Sequence, residues 1–134
     1  MLSTGRQAGS FAVIGGIGFV VDGGILTILN SLYGVNLLPA RLVSFSAAVT
    51  TTWFLNRQRT FADSKDKKPV SEWGRYTAVN SIGSILNMGI FFWLIALYEA
   101  LARVPLIPLG IAASVALVFN FLASKYIVFR RQRS

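Results

Sequence analysis

The sequence contains neither cysteine nor histidine, and only five of its 134 residues are carboxylates. Without cysteine there are no disulfides, thiolate nucleophiles or sulfur-ligated metals, and without histidine the usual general base near neutral pH is missing. Charged residues make up 13% of the chain, about half the roughly 25% of a soluble protein, whereas 54% are hydrophobic. That is the composition of a membrane protein. The carboxylates Asp63, Asp66, Glu72 and Glu99 fall in loops or at the ends of apolar runs. With no nucleophile and base paired, the reading is of a protein that is not an enzyme and holds no metal or cofactor.

What the chain does have is long apolar runs. Four of them, 8–29, 40–56, 78–97 and 106–124, approach the roughly 20 residues that a transmembrane helix needs. They leave no room for a soluble domain, so residues 1–134 read as a single all-α transmembrane domain with a basic, hydrated and mobile loop at 57–76. The first run is too long for a signal-peptide core. Gly34 with Pro39, and Pro105 with Pro108, mark tight turns between antiparallel helices.

Eleven of the thirteen Lys and Arg residues lie before the first run, between the second and third, or after the fourth, where Lys125, Arg130, Arg131 and Arg133 close the chain. Only Arg41 and Arg103 belong to the other side. Positive residues stay cytoplasmic, which puts both termini and the middle loop inside. The same asymmetry accounts for the net charge of +8 without nucleic acid as a partner.

The chain also repeats itself. Ile17 to Ile25 matches Ile82 to Ile90 at an offset of 65, and Asn56 to Phe61 matches Ser124 to Phe129 at an offset of 68. Each unit would be a two-helix hairpin, and an even number of spans per unit makes the two copies parallel. Ser44, Ala48, Thr52 and Asn56 share one helix face, as do Ala112, Ala116, Asn120 and Ser124; Gly15, Gly18 and Asp22 match Asn80, Gly83 and Asn87. Such small and polar faces belong inside a bundle or against another subunit. The small-residue spacing Ala8, Ala12, Gly16 on the first span suits close contact in a homo-oligomer, most simply a dimer.

These pieces resemble the GtrA-like family of small four-span bacterial membrane proteins, over nearly the whole chain, from about Arg6 to Phe129. The resemblance is carried by the glycine-rich first span FAVIGGIGFVVD, by Asn56-Arg57 and Thr60-Phe61 closing the second, and by Asn120-Phe121, Lys125 and Phe129 closing the fourth. The sequence departs from the family pattern at Thr52, Arg59 and Ile127. The resemblance implies translocation of a polyprenyl-phosphate-linked monosaccharide across the bacterial cytoplasmic membrane, alongside a partner glycosyltransferase, with membrane lipids around it. On that substrate the phosphate would meet Arg57, Arg59 or Lys125, because guanidinium and ammonium groups pair with phosphate oxygens. Thr52, Asn56 and Asn120 would meet the sugar, with Trp53 and Tyr126 as aromatic faces.

Asp22 is the one carboxylate deep in an apolar run. Ionised and alone there it would cost several kcal/mol, and Arg41 is the cation nearest to it in the hairpin. The second hairpin carries Asn87 and Leu109 at the matching places, omitting both charges together. Asp22 and Arg41 therefore read as a coupled outer element of a transport route, with Asn87 as its neutral counterpart. Two other functions fit the same residues: an accessory subunit that positions a glycosyltransferase, and a small proton-coupled exporter of cations. The topology makes a direct prediction. Cysteines introduced at position 34 or 103 are expected to react with an impermeant maleimide from outside only, and one at position 66 from inside only; labelling of 66 from outside contradicts the topology.

Overall fold

The structure is a computed structural model that describes residues 2–130; Arg131 and Arg133 lie outside the described residues. Helix α1 (Thr4–Thr27) starts at Ser3, whose side chain accepts from the Arg6 N–H and so caps the first turn. Its end widens into a π turn, Ile28–Leu32. Gly34 then reverses the chain at φ +66°, a left-handed backbone that glycine adopts without strain. Helix α2 (Leu37–Leu55) runs back and ends in a second π turn, Asn56–Thr60. After a short 3-10 turn, Ala62–Ser64, comes α3 (Pro69–Leu97); the 3-10 segment Glu99–Arg103 leads into α4 (Leu106–Ala123), which closes in a third π turn, Ser124–Val128.

Three helical runs, Thr4–Leu32, Pro69–Leu97 and Leu106–Val128, are long and apolar enough to cross a membrane. The fourth helix, α2, is richer in Ser, Thr and Arg. Several hydroxyls in the bundle are absorbed by their own helix: Ser46 donates to the Leu42 carbonyl, Thr51 to Ala47, Ser81 to Thr77 and Ser114 to Gly110. Back-bonding of this kind lets a polar residue sit in an apolar helix without an orphaned group.

The loop expected at 57–76 is much shorter than that. Residues 56–60 continue α2, and α3 begins at Pro69. Proline at the first helical position and an acid in the first turn both favour a helix start there. That acid, Glu72, was expected among the loop carboxylates, but it is fully buried at 0% exposure. It accepts from Trp53 Nε1 at 3.0 Å, from Arg57 Nε at 2.9 Å and from the Asp66 backbone N–H. Arg57 also donates to the Asp66 carbonyl, and Arg75 joins the Asp66 carboxylate at 2.8 Å to the Val128 carbonyl at 3.3 Å.

The remaining segment 61–68 is thus tied to α2, to α3 and to the end of α4. The Lys68 backbone N–H, and after it the Arg75 side chain, hold the Asp66 carboxyl below its ordinary pKa of 3.8. A lowered folded-state pKa gives stability that is present above the ordinary value and lost only as pH falls through the lower one. These ties therefore persist at neutral pH.

α1 packs along α2, and α3 along α4. Each pair comes close at a glycine. A Cβ on Gly18 would overlap the Thr52 side chain, and one on Gly83 would overlap the Asn120 amide.

The two pairs join where the described chain begins and ends, an end at which Lys125 reaches Thr4. There Phe11, Phe61, Tyr76, Phe121 and Phe129 form one buried cluster. Phe61 stacks on Phe129 with centroids 4.7 Å apart, and Phe11 meets Phe121 edge-on at 5.6 Å. Toward the opposite end the buried residues shrink to Ala40, Ser44 and Ala48 on α2 and Pro108, Ala112 and Ala116 on α4. Large side chains there turn outward, Phe19 to 79% exposure.

Two stability predictions follow from these contacts, both read by thermal unfolding in detergent. Gly83→Ala is expected to cost about 1–3 kcal/mol by overpacking against Asn120, whereas Gly89→Ala, which meets nothing within 4 Å, is expected to be neutral. Glu72→Ala leaves the Arg57 guanidinium, 17% exposed, without its carboxylate, and is expected to cost about 3–5 kcal/mol; a variant as stable as the parent would show that the cluster does not hold the loop.

Candidate functional site

Where the hairpins part, a cavity of about 230 Å³ opens between all four helices. Gly15, Gly18 and Asp22 of α1 face it, as do Arg41 and Thr52 of α2, with Asn56 just beyond. The opposing wall is Tyr76, Asn80 and Ser84 of α3 and Asn120 of α4. Phe11 and Tyr76, members of the aromatic cluster, close it toward the terminal end.

At the mouth, Arg41 Nη1 donates to Asp22 Oδ2 at 2.6 Å, with the two side chains 51% and 20% exposed. The lone carboxylate of the first span is thus half used. Its Oδ1 is buried and has no partner. At the floor, Asn56 is the centre of a relay: Nδ2 donates to the Tyr76 hydroxyl at 3.1 Å and Oδ1 accepts from Thr60 Oγ1 at 2.9 Å. Since Thr60 gives its proton to Asn56, Ser10 Oγ is the donor in the 2.7 Å contact between the two hydroxyls. The relay links α1, α2 and α3. The Tyr76 hydroxyl, buried with its ring, also faces the side chains of Thr52 and Asn80.

On the other wall, Asn120 Oδ1 is buried without a partner. Thr52 donates back to the Val49 carbonyl and Asn80 Nδ2 to the Tyr76 carbonyl, so neither is fully free. A buried polar atom without a partner costs about 1–3 kcal/mol. Two such acceptors on residues that line one small cavity, above a ring floor, favour a ligand rich in hydroxyl groups, or water in its place.

Of the residues singled out in the sequence, Asp22, Arg41, Thr52, Asn56 and Asn120 share this cavity. Arg57, Asn87 and Lys125 do not. Arg57 is held by Glu72 and the Asp66 carbonyl; Lys125 lies at the terminal end, its Nζ 2.8 Å from Thr4 Oγ1 and 5.5 Å from the Tyr126 ring. Asn87 is half-buried on α3 and lines none of the cavity.

The sequence reading missed Tyr76 and Ser84. Tyr76 fell in the expected loop, although the offset of 65 pairs it with Phe11, and the two aromatics do share the buried cluster.

A comparison with known families agrees with this architecture. The family model described as GtrA/DPMS, transmembrane domain, matches residues 10–129, and so reaches into all four helices and both π turns of the terminal end. Together with helices long and apolar enough to span a bilayer, the match makes this a multi-pass membrane protein of processes that use polyprenyl-phosphate sugars. The chain belongs to the GtrA/DPMS transmembrane domain family.

Proposed function

We propose that the protein carries a polyprenyl-phosphate-linked monosaccharide across the bacterial cytoplasmic membrane, without covalent chemistry, for glycosylation at the cell surface. The observation that carries this reading is the cavity between the parted hairpins, with Asp22 Oδ1 and Asn120 Oδ1 both buried and unpartnered. Sugar hydroxyls are donors and would satisfy both. At about 230 Å³ the cavity lies below the roughly 300–1,000 Å³ of drug-sized sites, which suits one sugar ring better than a chain of them. The prenyl tail has no need of a protein cavity, since it stays in lipid.

In this reading the termini and segment 61–68 are cytoplasmic, the cavity faces outward, and the chain is two copies of one hairpin. The matched contacts Gly18 to Thr52 and Gly83 to Asn120 support the duplication. Ala8, Ala12 and Gly16 are exposed along α1, which leaves them free to form the face of a homodimer.

Asp22→Asn tests the reading. The amide keeps an acceptor for Arg41 but loses the charge, so the variant is expected to insert and fold while translocation of labelled polyprenyl-phosphate-hexose in proteoliposomes falls at least tenfold. A wild-type rate in that variant removes Asp22 from the site. Absence of translocation by the parent protein, with co-purification of a glycosyltransferase, would instead support the accessory-subunit reading.

A further inference from the structure

On the terminal side of the aromatic cluster lies a second pocket, of about 290 Å³, with Phe61 and Phe129 as its apolar wall and Gln7, Lys125, Tyr126 and Arg130 as its chemistry; Ser64 stands at its edge. It shares no residue with the cavity described above. Gln7 is only 4% exposed, yet its Oε1 has no hydrogen-bond partner. Among the described residues the Lys125 ammonium meets neutral groups, the Thr4 hydroxyl and the Tyr126 ring. No carboxylate among the described residues pairs with Lys125 or Arg130.

The two hollows therefore differ in charge. In the cavity Arg41 is neutralised by Asp22, whereas the two cations of the terminal pocket have no carboxylate partner among the described residues and stand beside an exposed ring and an unpartnered amide oxygen. Two cations within one pocket suit a phosphate, which takes charge-assisted bonds from both. An amide oxygen beside them suits a hydroxyl donor.

We infer that this pocket is a second headgroup site, which receives the phosphate and sugar of the same lipid at the terminal face before the sugar passes the aromatic cluster. The inference rests on the translocation reading for its ligand, and adds where the phosphate is recognised. Lys125 and Arg130 hold the phosphate, Gln7 Oε1 accepts from the sugar, and Tyr126 lies along it. The buried rings between pocket and cavity keep the two sites from forming one continuous water path, so the headgroup occupies them in turn.

The chain has no cysteine, so Ser64→Cys gives a single thiol at the pocket's edge. With the full chain in nanodiscs of zwitterionic lipid, the measurement is the rate of maleimide reaction with and without a short-chain prenyl phosphate carrying glucose. The probe is expected to slow labelling at least tenfold. Lys125→Gln with Arg130→Gln is expected to abolish that protection, Lys125→Arg to retain it, and Asp22→Asn to leave it intact.

Equal protection by inorganic phosphate or by phosphatidylglycerol overturns the assignment of a sugar-lipid site, as does protection that survives the double glutamine variant. Translocation assayed on the same preparation separates the two readings. Transport without protection removes this pocket and keeps the carrier; protection without transport keeps the pocket and removes the carrier.

Discussion

Five buried rings join the two hairpins at one end of the molecule, and the position of that joint decides the rest. Helices in lipid gain no hydrophobic drive from touching one another, so close packing and hydrogen bonds must hold them. Edge-on and offset ring pairs contribute about 0.5–1.5 kcal/mol each, and here they are concentrated between Phe11, Phe61, Tyr76, Phe121 and Phe129. At the other end the buried residues are small, alanine, serine and Pro108, which bring helices together within a hairpin but reach too little to bridge between hairpins. A bundle joined at one end and parted at the other has a cavity by construction. The Asn56 relay sits at the meeting point, tying Tyr76 to Thr60 and Ser10.

Saturation of polar atoms separates the groups that hold the fold from those open to a ligand. Glu72 and Asp22 are both carboxylates in largely apolar surroundings. Glu72 takes three donors and Asp22 takes one, with an oxygen left over. The amides divide in the same way: Asn56 uses both ends of its side chain, whereas Asn120 leaves its oxygen unmatched. Residue type alone would rank these groups together. Their partners make Glu72 and Asn56 fastenings, and leave Asp22 and Asn120 each with a buried oxygen unmatched.

Four helices and their turns were legible because hydropathy and proline report where lipid and chain reversals lie. The ends of the helices were not, because hydropathy does not report where a helix stops. The polar turns Asn56–Thr60 and Ser124–Val128, and the start of α3 around Glu72, carry the helices past the ends of the apolar runs. That single error moved Tyr76 into a loop and left Arg57 looking free for phosphate, since its partner Glu72 was on the wrong element. The pairing of Asp22 with Arg41 was legible for a stronger reason. Two isolated charges within reach in an apolar hairpin have few alternatives to meeting. Asn87 shows the limit of matching by offset: it copies the place of Asp22 in sequence, but the cavity is not symmetric and its other wall is built from Asn80, Ser84 and Asn120.

That asymmetry follows a pattern. At the offset of 65, Asp22 matches Asn87 and Gln7 matches Glu72, so each hairpin carries one inward acid, at opposite ends of the bundle, and a neutral amide at the other matched place. The consequence is electrostatic. A carboxylate at position 7 would lie in the same pocket as Lys125 and Arg130 and compensate them, as Glu72 compensates Arg57 on the other hairpin. Gln7 adds no charge, and those cations have no carboxylate partner among the described residues. At the far end the acid is present and Arg41 is neutralised, so the cavity is polar without being strongly charged. An anion would be favoured at the terminal face and a neutral hydroxylated group in the cavity, which is the order of parts that a phosphate-linked sugar presents when its phosphate stays near the headgroup layer and its sugar moves inward.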